Sequence, residues 1–279
     1  MHNFQANYDK ILKVLKELDC KMDYLNQIRK PKLSDKQLIA IDLTAEYMGI
    51  DSECQLFRIL PDGLSGNIER SVYNRRKRKL FSFRESLRKL VRKLNKSEHC
   101  YIVDSMPLEV CKLSRSSRSK ICKEQNYSLP EKGYCASQSI HYYGYKLHAV
   151  CSAQGVIESM DISPASVHDI NYLKDVKHQL NDCILLGDKG YLSAEYQLNL
   201  FEYHNIRLKT PMRTNQHNYR EQPYVFKKSR KRIEILFSQL CDQFMIRRNY
   251  AKSFEGFKNR ILSKITDYSY DGHSIYKHI

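Results

Sequence analysis

Residues 183–193 read CILLGDKGYLS: four apolar or weakly polar residues run up to Gly187, an acid follows at Asp188, and a second glycine stands at Gly190. A short apolar run bounded by glycines reads as a buried strand, and its abrupt end sets a carboxylate where the strand leaves the core. In open sheets covered by helices, ligands gather beyond the carboxyl ends of the strands. Asp188 is therefore a candidate site residue, as well as a candidate cap for the turn that follows. The flanking glycines lack a Cβ, which permits a sharp turn and the close approach of a ligand or another backbone. YIVD at 101–104 repeats the pattern with Asp104, so two acids from two strands can converge on one point.

The elements around these strands define the class. Tyr143–Cys151 and Val156–Ile162 read as strands joined by the turn SAQG at 152–155, and Ile206–Leu208 reads as a further strand. His168-Asp169 opens a helix carrying Ile170, Leu173, Val176 and Leu180, and a second helix carries Tyr196, Leu200 and Tyr203. Helical spacing returns over Ile233–Phe244 and Phe254–Ile265, whereas residues 112–140, rich in Ser, Lys and Cys, read as an exposed loop. Antiparallel strands followed by strand–helix alternation imply an α/β domain with a mixed sheet flanked by helices.

The first hundred residues read as a separate helical domain. Ser34 and Gln37 form a capping box with Leu33 and Leu38 as its hydrophobic staple, which predicts a helix from Asp35 toward Gly49. Gly49-Ile50-Asp51 turns into another short helix, and Pro61-Asp62-Gly63 breaks the chain. A second box, Ser82 with Glu85, opens a helix whose Phe83, Leu87, Leu90, Val91 and Leu94 face inward and whose Arg84, Arg88, Lys89, Arg92 and Lys93 face water. A helix-turn-helix DNA reader and ordinary helical packing both account for this pattern.

The third acid is Glu234, beside the apolar stripe Ile233, Phe237 and Leu240, with Arg230 one turn earlier on the same face. An arginine there can grip a phosphate next to a cation held by the acid. Three carboxylates suit hard divalent ions such as Mg2+, and a pair of ions about 3.5–4 Å apart serves phosphoryl transfer on nucleic acid. The net charge of +16 points to the same polyanion, since Lys and Arg cluster in RRKRK at 75–79, with Arg75 and Arg76, and in KKSRKR at 227–232. Lys189, Lys209 and Arg213 follow strands, where they can touch the DNA backbone near the metals. His148 and His168 read as a hydrogen-bonded structural histidine and a helix cap.

Nine scattered cysteines without a C-x2-C pair argue against a zinc module and a disulfide framework. No apolar run reaches the length of a membrane span and the N-terminus lacks a secretory layout, so a cytoplasmic, nucleoid-associated location is expected.

In these motifs the sequence resembles the DDE transposases of bacterial insertion sequences, and among them insertion-sequence family 982. The matching stretches are YIVDSMPLEVC, YYGYKLHAV, SPASVHDI, LLGDKGYLS, RKRIEILFSQL and IRRNYAKSFEGFKNRILSKI. The resemblance implies a ribonuclease H-like catalytic domain in which Asp104, Asp188 and Glu234 bind two Mg2+ ions, with Mn2+ as a substitute. It implies binding of the element's terminal inverted repeats, strand cleavage and transfer of the ends to target DNA, by a homodimer on double-stranded DNA. Arg230 matches an arginine of related transposases, while Cys241 stands where many carry a lysine. The expected organisation is a helical DNA-binding domain at 1–97, the catalytic domain at 98–266 and an atypical tail at 267–279, polar enough to fit a frameshift or truncation. Two alternatives stay open: a DNA-binding protein with an inactive or truncated transposase domain, and a ribonuclease H-like nuclease.

Overall fold

A computed structural model describes residues 3–18, 23–94, 99–217 and 219–271. The chain divides into two compact units, Met1–Asn95 with Leu240–Ala251 and Glu255–Ile279, and Lys96–Gln239 with Lys252–Phe254. The C-terminal segment, which the sequence reading gave to the catalytic domain, thus packs with the N-terminal helices.

In the helical unit, α1 (Phe4–Leu18), α2 (Asp35–Tyr47), α3 (Glu53–Ile59), α4 (Asp62–Ser65), α5 (Arg70–Lys79) and α6 (Phe81–Leu94) follow in sequence. The Ser34–Gln37 box forms in both directions, at 3.2 and 2.8 Å, and the helix ends before Gly49, whose φ of +67° suits glycine. The second box does not form. Ser82 lies inside α6, and Glu85 pairs instead with Arg88 at 2.8 Å. Arg84 and Arg88, expected on the wet face, are buried. Arg84 ion-pairs with Asp42 at 2.5 Å, because α2 is buried on all sides and carries acids that need cations.

The second unit holds β1 (Cys100–Cys111), β2 (Glu131–Cys135), β3 (Ile140–Ser152), β4 (Ile157–Pro164), α7 (Leu173–Val176), β5 (Cys183–Leu186), α8 (Ala194–His204), β6 (Ile206–Lys209) and most of α9 (Tyr224–Asp242). One sheet runs β2-β3-β1-β5-β6, with β4 also on β3. β3 pairs antiparallel with β1, β2 and β4, whereas β5 runs parallel to β1 and β6. This is the mixed sheet flanked by helices expected from the sequence. One face packs Tyr101, Val103, Val150, Leu185 and Leu208 against Tyr172, Leu173 and Val176 around α7 and Leu200 of α8.

Three sequence expectations change. β1 does not stop at Asp104 but continues through Pro107 to Cys111. Proline is tolerated because β5 pairs only with Cys100–Ile102, leaving that edge of β1 open at residue 107. Residues 112–140 are not simply an exposed loop: β2 lies on β3, the buried Cys122 donates its N–H to Lys252 O at 2.8 Å, and Ser128 O accepts from Tyr145 at 2.6 Å. The helix expected from Asp169 splits into a 3-10 turn, Asp169–Tyr172, and the short α7. In the helical unit, α10 (Phe254–Asp271) runs on past Ile265, and its buried Tyr268 packs edge-on against Phe244 at 5.9 Å. The rest of the expected tail, 272–279, lies outside the described residues. No helix among the described residues is long and apolar enough to cross a membrane.

Candidate active site

Strand register brings the two aspartates together. β1 and β5 are parallel, and their last paired residues are Ile102 and Leu186. Asp104 and Asp188 each stand two residues further on, so they lie at the same level of adjacent strands, Asp104 within β1 and Asp188 just past the end of β5. Asp104 is held inside β1, where its partner across β3 is the buried Ala149. Asp188 is held by the turn after β5.

Each carboxylate is anchored through one oxygen. Asp104 Oδ1 accepts the Ser105 N–H at 2.8 Å, and Asp188 Oδ1 accepts the Gly190 N–H at 2.7 Å. Asp188 therefore caps a 3-10 turn over Lys189–Tyr191 while remaining at the strand end. The two glycines answer to crowding and not to positive φ. A Cβ on Gly187 would lie 3.1 Å from that of Tyr191, and one on Gly190 would lie 2.9 Å from Asp188 Oδ1. Glycine lets the turn fold back tightly enough for the cap to form.

Burial pushes the Asp104 carboxyl up to about 7, and the neighbouring charges of Asp188 and Asp169 add to the rise, opposed by the Ser105 N–H and by Arg230. Burial is the largest cause of this rise, and the crowded negative charge adds to it; a divalent ion bound there would oppose both. Beneath them the Tyr191 ring is wholly buried, with a hydroxyl that has no hydrogen-bond partner. Burial first, then Asp169, Asp104 and Asp188, drive that hydroxyl far from ionisation.

Asp169 is the site neighbour that the sequence reading used only as a capping signal. Lys146 Nζ holds it at 2.9 Å and also donates to Val167 O at 2.9 Å. The signal lay in the charge of Lys146 on the strand opposite YIVD, whose partner the sequence does not name. His148 keeps a structural part: its Nε2 sits 2.7 Å from Ser163 Oγ, its ring stacks on Tyr172 at 5.1 Å, and burial lowers it to about 4. His168 caps the following turn through Ile170 N–H at 3.3 Å.

Glu234 sits on α9 with its side chain exposed, and the buried stripe of that helix is Ile233, Leu236 and Leu240, with Leu236 where Phe237 was expected. Its neighbour one turn earlier, Arg230, is close enough to act on Asp104. Arg232 fixes the same helix to the β3–β4 turn, donating to Gln154 O at 2.6 Å. Among the described residues no three His, Cys, Asp or Glu side chains stand close enough to share a metal ion. The structure thus joins Asp104 to Asp188 and brings Arg230 to them, and leaves Glu234 on the outer side of its helix.

Of the residues expected at DNA, Lys189, Lys209, Arg213 and Arg75 are exposed, and Arg230 is half-buried. Arg76 is a correction: it is buried, paired with Asp35 at 2.6 Å and donating to Leu33 O at 2.9 Å. A run of basic residues on a helix presents only part of itself to solvent, and α5 turns Arg76 and Lys77 inward.

Comparison with known proteins agrees with this geometry. A profile described as Transposase DDE domain matches residues 95–268. Among solved structures, the chain is similar to a cryo-EM structure of a piggyBac transposase synaptic complex with hairpin DNA, at 13% identity and a TM-score of 0.52, covering 98% of this chain and 72% of that one. At that identity the likeness speaks for the fold alone. No curated protein matches the chain. With more than half of its length matched by that profile, the chain belongs to the family of transposase DDE domains.

Proposed function

We propose that the protein is a transposase of the insertion-sequence family 982 type, which binds the terminal inverted repeats of its element, cuts DNA there and joins the freed ends to target DNA as a dimer. The observation that carries this reading is the paired position of Asp104 and Asp188 at the open end of the sheet, in a chain with net charge +16.

The two carboxylates fit a divalent cation by donor chemistry, since each keeps one oxygen after its backbone contact and Asp104, raised to about 7 chiefly by burial, also stands beside the negative charge of Asp188. Asp104, Asp188 and Glu234 would hold the two ions, Mg2+ or Mn2+. When bound, such ions activate a water or 3′-hydroxyl and stabilise the leaving oxygen. The chain's own residues do the rest. β1 and the glycine-flanked turn fix the two aspartates, so little freedom is lost when they take up a ligand. Arg230, half-buried beside Asp104, offers its guanidinium to the phosphate being cut. Lys189, Lys209 and Arg213 are exposed beyond the strand ends, where they can meet neighbouring phosphates. Glu234 would be the third ligand, supplied from α9.

The test uses purified protein, Mg2+ or Mn2+ and labelled element-end duplex, with Asp188→Asn as control. Cleavage and end joining by the parent, both absent in the variant, are the expected result. Cleavage that survives in Asp188→Asn overturns the assignment, and cleavage of hybrid substrates without joining favours the nuclease alternative.

A further inference from the structure

A cleft of about 510 Å3 lies between α8 and the edge strand β6, lined by Gln197, Phe201, Ile206, Arg207, Leu208, Lys209 and Thr210. We propose that it is a subsite for an unpaired nucleobase of the DNA strand held at the acidic end of the sheet, an inference that rests on the transposase reading above.

Four observations point there. First, position: Leu186 pairs with Lys209, and Gly187 N–H donates to Lys209 O at 3.1 Å. The cleft therefore begins one strand away from Asp188 and runs back along β6. Second, stacking surface: Phe201 is 50% exposed, which leaves a large ring in water, and the Arg207 guanidinium lies 6.0 Å from its centre. An aromatic face beside a guanidinium plane is what a base stacks on. Third, polar partners: because Lys209 turns its backbone toward β5, alternation turns that of Leu208 to the open edge, and no described strand pairs with that edge. The Thr210 hydroxyl is also withdrawn from solvent without a hydrogen-bond partner. Donors and acceptors in this arrangement suit the edge of a base. Fourth, charge: Arg207 and Lys209 are both exposed at the rim and can hold the flanking phosphates. A peptide strand is the less fitting occupant, since β6 spans only Ile206–Lys209 and carries two cations.

The test is fluorescence anisotropy of the full chain in chelator with three labelled probes: an oligothymidylate of about 15 nucleotides, an abasic strand of equal length and charge, and a random duplex. The parent should bind the oligothymidylate at least ~10-fold more tightly than the abasic strand. Phe201→Ala should abolish that difference while leaving the abasic and duplex affinities unchanged. Arg207→Ala should reduce it, and Tyr203→Ala, which removes an exposed ring of the same helix that does not line the cleft, should leave it intact. Phe201 is half-exposed, so its loss should spare the fold, which a thermal melt checks.

Equal binding of the two single strands by the parent overturns the subsite, and duplex binding in the same experiment leaves the transposase reading standing. Equal binding combined with self-association that Phe201→Ala abolishes, seen by sedimentation, overturns it in favour of a second copy. Base-dependent binding in a protein that never cuts element-end DNA supports the subsite and removes the transposase reading instead.

Discussion

Carboxylates are withdrawn from water in both units of this protein, and they keep different company. In the helical unit three such acids each have a cation. Asp42 meets Arg84 at 2.5 Å and also Lys77, Asp35 meets Arg76 at 2.6 Å, and Glu46 meets Lys264 at 2.8 Å. Burial alone would raise the Asp42 carboxyl, but Arg84 and Lys77 hold it well below the usual range. In the sheet unit, Asp104 faces Asp188 and Asp169 and rises to about 7. The first set is paired carboxylate to cation within the fold, whereas Asp104 stands among like charges that Arg230 only partly opposes. Buried charge that is paired belongs to structure, and crowded like charge at a strand end marks a site.

The largest contrast should appear in activity. Asp104→Asn and Asp188→Asn should each cut strand cleavage by at least ~1000-fold, about 4 kcal/mol in the barrier, while circular dichroism stays that of the parent. Asp42→Asn should do the reverse. It strands Arg84 and Lys77 without a partner and should lower unfolding stability by about 3–5 kcal/mol, read by urea titration. A fully stable Asp42→Asn protein would erase the distinction between the two units.

The same contrast has a pH signature with opposite signs. Asp104 holds a proton in the folded chain that the unfolded chain releases, so its contribution to stability falls as pH rises from about 4 to about 7 and stays low above that. Removing the charge should therefore stabilise: metal-free Asp104→Asn should gain roughly 1–3 kcal/mol at pH 8 and nothing near pH 4. Asp42 is depressed, so its contribution is present above the ordinary carboxyl range and is lost as pH falls below it. Equal pH profiles for Asp104→Asn and its parent would contradict the first half of this pair. The smallest expected effect belongs to Arg230→Gln. Because Arg230 lowers Asp104, its loss should move that carboxyl further above about 7, measured by carbon-13 carboxyl shifts.

The sheet was readable because its strands announce themselves. CILL, YYGYKLHAV and the SAQG turn carry alternation and punctuation that survive in β5, β3 and the β3–β4 turn, where Gly155 takes a φ of +91°. The family motifs located Asp104, Asp188 and Glu234, and register explains why the first two meet. What was not readable depends on partners distant in the chain. Asp104 and Pro107 look like terminators, and only the early end of β5 shows why β1 passes through them. Arg76 and Arg84 look solvent-facing, because nothing local reveals that Asp35 and Asp42 of α2 lie opposite them. EKGYC at 131–135 is too polar and short to declare a strand until β3 pairs with it.

Manganese titration by calorimetry at pH 8, on the parent, Asp104→Asn, Asp188→Asn and Glu234→Gln, tests most directly whether the crowded acids form a cation site. The account predicts saturable binding by the parent that disappears in both aspartate variants, weakens in Glu234→Gln and fades at pH 5.5 as Asp104 takes up its proton. Identical heats from the parent and Asp188→Asn would contradict it.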